Sequence, residues 1–544
     1  MSTPATCAPP SSGWHWPVLP RHRSGHWQAC MRDAKRSPVP SGQVIRNQEE
    51  RNMHIQNLLD TEDATGLAEW VRRGEVQPSE LLEAVIDRIE RVEPQLNAVA
   101  ERLYDSAREA ARTAQPGQGV FAGVPTLIKD LFSPVNGAAM TNGSVALGGF
   151  RADFEAEIVT RLRRAGCVIA GTSTSPEFGT SYSTESTRFG ATLNPWNTGH
   201  SAGGSSGGAA ALVAARVVPF AHGNDGGGSL RVPASCCGVF GLKPSRGLLP
   251  SGPMVGEGWA GMGTPHGITL SVRDSAALLD ATAGTDLGAP YAAPVQAQPY
   301  VLSLQRDPRP LRIALVEQLG PWPTSSEALA SVREAGRLCQ SLGHRVEPVT
   351  LPVALPEFLD QVFTIIGAST RHYLDVLGQM RGVAVQPEEL EARTRIILRS
   401  KGDVSGAEYA GAVEWIHALG RQLAVFMQDY DLILTPTLAR EPAPIGELDL
   451  QDDRLSLDEL IERFHSYSPF TALFNASGQP AMSVPLYWSA AGLPMGAHFA
   501  GRFGEEATLF ALAAQLERAQ PWRGRIPPVN ACGVPALASY SARS

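Results

Sequence analysis

Between residues 119 and 221, short apolar runs of strand length alternate with helix-length segments, a pattern buried by a sheet with helices packed on it. Residues 119–130 (GVFAGVPTLIKD) read as a buried strand leading into a loop, with Lys129 ending the apolar run. Residues 155–165 read as a helix, 167–171 as a strand, 209–215 as a helix and 217–221 as a strand. The expected class is therefore α/β. Upstream, Leu67, Trp70 and Val71, then Leu81, Leu82, Val85, Ile86 and Ile89 after Pro78, predict two short amphipathic helices. Residues 97–111 predict another. Downstream, helices are expected at 276–283, 326–342, 356–371, 407–426 and 508–516, and strands at 311–316, 432–434, 481–484 and 495–500. No repeat of fixed period occurs, and residues 307–469 are a candidate helical insert or lobe.

Composition narrows the function classes. With 43% hydrophobic residues the chain can bury a sizeable core, and 46 basic against 54 acidic side chains give a net charge of −8, which argues against a polyanionic partner such as nucleic acid. The sequence contains no charge-free apolar run of about 18 residues, so no membrane span is expected. Seven cysteines without C-x-x-C spacing, two of them adjacent (Cys236 and Cys237), fit a reducing cytoplasm better than a disulfide framework. Residues 1–52, rich in Pro, Ser, Arg and His, are expected to be a disordered extension, unless translation begins at Met53. Residues 53–530 form the expected main domain and 531–544 a tail.

Two glycine clusters interrupt the alternating pattern, 203–208 (GGSSGG) and 223–231 (GNDGGGSLR). A Gly/Ser cluster alone is commonly a flexible linker, but apolar segments flank both of these tightly, so both loops are expected inside a packed domain. Glycine lets backbone N–H groups converge on a developing oxyanion while a neighbouring serine attacks a carbonyl, a combination suited to acyl transfer. A serine nucleophile needs a base. Ser229 is followed by Leu230 and Arg231, so the G-x-S-x-G elbow is absent. His200 or His222 with Asp225 or Asp130 gives one candidate constellation. Lys129, at the end of a buried run where desolvation disfavours the ammonium, gives another, although a lone lysine is more often a solvated surface charge. No H-E-x-x-H or other metal spacing is present, and no cofactor motif is found.

The runs 203–208, 223–234 (GNDGGGSLRVPA) and 237–244 (CGVFGLKP), the interval from Ser205 to Ser229, and the upstream 123–130 (GVPTLIKD) together resemble the amidase signature family. The resemblance extends over residues 58–528 and includes 194–197 (NPWN), 434–437 (LTPT) and 474–481 (FNASGQPA). It implies a mixed β-sheet core sandwiched between helices, and a Ser-cis-Ser-Lys triad that hydrolyses a carboxamide C–N bond without a cofactor. In that triad Ser229 attacks, Ser205 relays the proton and Lys129 is the base. Bringing a lysine from about 10.4 to about 7 costs roughly 4–5 kcal/mol of differential solvation, so Lys129 is expected to be buried. The resemblance further implies oxyanion donors in Gly226, Gly227 and Gly228 with the Ser229 amide, an acyl-enzyme intermediate, and loop support from Ser206, Asp225 and Arg231.

Departures from the family pattern refine this. Where most members read GTDTGGS, this chain reads GNDGGGS at 223–229, and its Asn-Asp pair resembles the branch containing 6-aminohexanoate cyclic-dimer hydrolase. Val232 stands where the A subunit of glutamyl-tRNA amidotransferase usually carries Gln, which disfavours an amidotransferase subunit with a partner chain. That subunit role, and a non-catalytic member of the family, remain the alternatives. The expected partner is a small-molecule amide, with room for a homodimer. Specificity is expected from residues 251–267 and 356–429, where Trp259, Phe363, Tyr373 and Trp415 are candidate lining residues, though aromatics at helical spacing are more often core.

Overall fold

The structure is a computed structural model describing residues 48–532. A three-stranded sheet in the order β1–β3–β2 is formed by β1 (Val99–Arg102), β2 (Pro125–Lys129) and β3 (Val168–Ser173), with β2 parallel and β1 antiparallel to β3. Two short hairpins follow, β4 (Glu185–Ser186) with β5 (Gly190–Ala191) and β6 (Leu193–Asn194) with β7 (Asn197–Ser201). The larger sheet comprises β8 (Phe220–Asp225), β9 (Phe240–Lys243), β10 (Thr264–Thr269), β11 (Arg312–Leu315), β12 (Arg345–Pro348), β13 (Leu432–Pro436), β14 (Ala481–Trp488) and β15 (Pro494–Gly501). Its spatial order is β12–β11–β13–β15–β14–β9–β10–β8. The sheet is mixed: β11 runs parallel to both β12 and β13, and the remaining pairs are antiparallel.

Burial explains which strands the sequence announces. Every residue of β13 and β15 is buried, so these strands read as continuous apolar stretches. The edge strand β12 (RVEP) has exposed ends and finishes in proline, which an edge tolerates because no ladder donor is required there. It therefore lacks the pattern that exposes a strand in a sequence. With β11 and β13 it draws the stretch 307–469 into the large sheet, so that stretch is not a separate helical lobe. The helix expected over 97–111 is likewise divided. Asn97 takes a left-handed conformation that ends the helix Pro78–Leu96, β1 pairs with β3, and helix resumes at Tyr104–Thr113. At the chain ends, the helix Gln48–Thr61 begins inside the expected extension, where Arg51 Nη2 donates to Glu80 Oε2 at 2.6 Å. Ala531 is buried, with its N–H donating to Ala215 O at 2.8 Å. The rest of the expected extension and tail lies outside the described residues. Among the described residues, no helix is long and apolar enough to cross a membrane.

The two sheets meet where β2 abuts β8 through side chains. Thr126 Oγ1 donates to Phe220 O at 3.0 Å, and the Lys129 N–H donates to His222 Nδ1 at 3.4 Å. This junction sets the end of β2 beside the end of β8, and each is followed by a loop rich in polar groups. The helix Gly207–Ala214 starts on the last two residues of the first glycine cluster and is buried along its whole length. Its glycines are needed for contact: a Cβ on Gly208 would sit 2.6 Å from Ala98 O and 2.7 Å from Thr174 N, both backbone atoms that cannot swing aside. Alanine in place of a helical glycine ordinarily stabilises by about 0.5–1 kcal/mol. Here overpacking reverses the sign, and Gly208→Ala is expected to lower stability by about 1–3 kcal/mol in urea unfolding. A midpoint at or above that of the parent would show that the helix is not packed this closely.

Candidate active site

Lys129 ends β2, Ser205 precedes the helix Gly207–Ala214, and Ser229 lies in the turn between β8 and the helix Arg231–Cys237. Lys129 is 0% exposed, Ser205 1% and Ser229 5%. The Lys129 Nζ lies 2.7 Å from Ser205 Oγ and 2.7 Å from Asn224 Oδ1. The Gly204–Ser205 peptide is cis. The two glycine loops are fastened to each other, since Ser206 N donates to Ser229 O and Ser206 Oγ to Asn224 O, each at 3.2 Å. Thr184 Oγ1 bridges the first loop, donating to Gly203 O at 2.8 Å and accepting from Gly207 N at 3.0 Å.

Beneath the second loop lies a buried ion pair. Arg231 Nε donates to Asp225 Oδ2 and Arg231 Nη2 to Asp225 Oδ1, both at 2.9 Å, with both side chains wholly buried. Such a fork fixes orientation as well as charge. Asn475 joins it, donating from Nδ2 to Asp225 Oδ1 at 2.8 Å and accepting from Arg231 Nη2 at 2.6 Å. Asp225 also accepts from Gly228 N (2.7 Å) and Leu230 N (3.1 Å), so one carboxylate shapes the turn that carries Ser229. A peptide unit is planar with its N–H and C=O opposed. In the Gly227–Gly228 unit the carbonyl accordingly accepts from Thr471 Oγ1 (2.7 Å) and Tyr182 Oη (3.2 Å), while the N–H turns to Asp225. The Gly228 amide is thus already paired, and the oxyanion expectation narrows to the amides of Gly226, Gly227 and Ser229. Gly228 has φ +141, and a Cβ there would collide with Thr471.

Electrostatics follow from burial. Stripped of water, the Lys129 ammonium is disfavoured, and its pKa falls well below the usual lysine value despite the opposing pull of Asp225. Burial alone would raise the Asp225 carboxyl, but the Arg231 guanidinium and the hydrogen bonds around it outweigh that and hold it well below the usual range. His222 is pushed down to about 3 by burial, with Lys129 and His266 adding to the effect, so it is neutral and its Nδ1 accepts the Lys129 backbone N–H. The Ser-His-Asp constellation therefore does not assemble. His222 faces the lysine backbone, Asp225 faces Arg231, Asp130 accepts from Thr141 N at 2.8 Å, and His200 lies on β7 opposite Pro444.

The candidate aromatic residues divide. The Trp259 ring lies over Gly226, where a Cβ would come within 2.8 Å of it. Tyr373 accepts from Asn142 Nδ2 at 2.6 Å and meets Phe132, three residues beyond Lys129, edge-on at 5.2 Å. Phe363 meets His465, which in turn meets Tyr182, and Trp415 packs on Phe358. Sequence reasoning missed Tyr182, Thr471 and Asn475, which hold the second loop from other segments of the chain, and His498, whose Nε2 lies 3.0 Å from Arg231 Nη1. Of these only Asn475 sat inside a quoted motif. It also passed over Lys243, which ends the buried β9 much as Lys129 ends β2, yet whose Nζ donates to Pro244 O at 2.7 Å.

The fold is that of the amidase signature enzymes. The profile of the Amidase family matches residues 80–510, and the chain belongs to that family. It is 38% identical over 481 residues to the 6-aminohexanoate-cyclic-dimer hydrolase of Pseudomonas sp. (strain NK87), covering 86% of this chain and 96% of that protein. A solved 6-aminohexanoate cyclic dimer hydrolase, complexed with substrate, superposes with a TM-score of 0.81 at 36% identity, covering 87% of this chain and 100% of the other. A bacterial aryl acylamidase of the amidase signature family gives a TM-score of 0.78 at 30% identity, with 85% of this chain and 99% of the other covered.

Breaking the buried pair leaves an uncompensated charge. Arg231→Met is expected to lose about 3–5 kcal/mol of stability near neutral pH. The sign of the pH dependence is fixed by Asp225: paired, it favours the folded state above its unfolded pKa, whereas unpaired it is relieved by taking up a proton. The gap between variant and parent in urea midpoints should narrow from about pH 8 to about pH 5. A gap independent of pH would mean that the carboxylate is not what the arginine compensates.

Proposed function

We propose that the protein is an amidase that uses Ser229, Ser205 and Lys129 as nucleophile, relay and base. The observation that carries this reading is the fully buried Lys129 with its Nζ 2.7 Å from Ser205 Oγ. A neutral amine there can accept the Ser205 hydroxyl proton while Ser205 Oγ takes the proton of Ser229, and the freed Ser229 oxygen bonds to the amide carbon. The carbonyl electron pair moves onto oxygen, where the amides of Gly226, Gly227 and Ser229 stabilise it, each such donor being worth about 3 kcal/mol. As the tetrahedral adduct collapses, the C–N bond breaks and the relayed proton passes from Lys129 through Ser205 to the leaving nitrogen. Water attacks the resulting ester by the same relay, releasing a carboxylate and regenerating Ser229.

The substrate class we infer is a small uncharged amide, linear or cyclic. The named activity of the 38%-identical relative supports this, as do the Trp259 ring over Gly226 and the Phe132 and Tyr373 pair near Lys129. A panel of aliphatic amides, aryl amides, amino-acid amides and cyclic diamides tests the reading, with Ser229→Ala as the blank. Ser229→Ala and Lys129→Ala should each lower kcat by about 10^4-fold or more, whereas His222→Ala should stay within about tenfold of the parent. Turnover surviving in the Ser229→Ala blank, or lost on removing His222 from a folded protein, would overturn the assignment.

A further inference from the structure

Asn224 occupies a position that the triad leaves unexplained. Its Oδ1 lies 2.7 Å from Lys129 Nζ, and its Nδ2 donates to Leu131 O at 2.7 Å. A carbonyl oxygen can only accept, so Leu131 O holds the amide with its NH2 turned away from the lysine and its oxygen turned toward it. That oxygen in turn demands a hydrogen from Nζ. A neutral amine carries two hydrogens and one lone pair, and the other neighbour of Nζ is Ser205 Oγ, also at 2.7 Å.

We propose that Asn224 is a positioning residue: by taking one hydrogen of the Lys129 amine it aims the nitrogen lone pair at Ser205 Oγ, and being uncharged it does so without restoring the ammonium. The proposal rests on the triad reading above. The groups around the amine are consistent with it. On β8, Asp225 is paired with Arg231 and His222 accepts from the Lys129 backbone. On β10, His266 Nε2 faces Ser275 Oγ at 2.9 Å, and at the end of β2, Asp130 is bound to Thr141. The amide acceptor beside the amine therefore fixes direction without adding charge. A carboxylate in the same place would supply direction and charge together, and a hydroxyl would supply an acceptor without a charge.

The test needs no knowledge of the natural substrate. Sulfonylation of Ser229 by phenylmethylsulfonyl fluoride, followed by intact mass across pH on the full-length chain, reports the rate at which the base activates the serine. Asn224→Leu should slow it by about tenfold or more, a share of what a general base supplies. Asn224→Asp should move the acidic limb of the rate profile to higher pH by about 1–3 units, because the carboxylate favours the charged lysine. Asn224→Thr, which keeps an acceptor, should recover most of the rate lost in Asn224→Leu with the limb where the parent has it. Thermal midpoints identify any variant that fails to fold, and the Asp and Thr pair decides the matter if the Leu variant does. Limbs that coincide in the Asp variant and the parent, with Lys129→Ala inert, would overturn the role of Asn224 alone. Sulfonylation of Lys129→Ala at the parent rate would overturn the triad reading itself.

Discussion

The desolvated amine of Lys129 is the constraint on which the rest of this structure depends. A lysine in water holds its proton to about pH 10.4, and such a group cannot serve as a base near neutrality. Removing the water is the protein's means of changing that. It requires a strand buried on both faces, a second sheet set against the end of that strand, and polar neighbours that accept hydrogen bonds without carrying charge. The fold meets each requirement: β2 is buried throughout, β8 abuts it through Thr126 and His222, and Asn224 and Ser205 are the hydrogen-bond partners of the amine.

The carboxylate whose charge pulls on the amine, Asp225, is prevented from undoing this. An unpaired carboxylate near Lys129 would favour the ammonium. The bidentate fork of Arg231, with Asn475 behind it, neutralises Asp225 while letting it organise the turn that carries Ser229. The arrangement also explains the division of labour among the three glycines. Gly228 supplies a backbone conformation and an amide to Asp225, whereas Gly226 and Gly227 are both partly exposed and are the oxyanion donors of the proposed mechanism.

Much of this was legible in the sequence because it depends on local pattern. The apolar run ending in Lys129 announces β2, and the buried helices beside the glycine clusters show that those loops lie within a packed body. What escaped notice depends on pairing across long separations. Val99–Arg102 is made of residues that read as well in a helix, and becomes β1 only because β3 lies beside it. The edge strand β12 is polar and so carries no signal. Asn475 and Thr471 reach Asp225 and Gly227 across 250 and 244 residues, and nothing in a single chain indicates that they meet. Lys243 marks the limit most clearly. It ends a buried strand as Lys129 does and burial pushes it down to about 7, yet its Nζ donates to Pro244 O. The run of residues is alike in both, and the facing element decides the chemistry.

The chain contains four lysines, Lys35, Lys129, Lys243 and Lys401, so a protein labelled with carbon-13 at the lysine ε-carbon gives a spectrum of four resonances. Loss of one of them in Lys129→Ala assigns the Lys129 resonance. Titrated by NMR, that resonance is predicted to move from the ammonium to the free-amine position well below the ordinary lysine midpoint, because burial disfavours the charged form. A resonance that keeps the ammonium position up to about pH 10 would contradict the account.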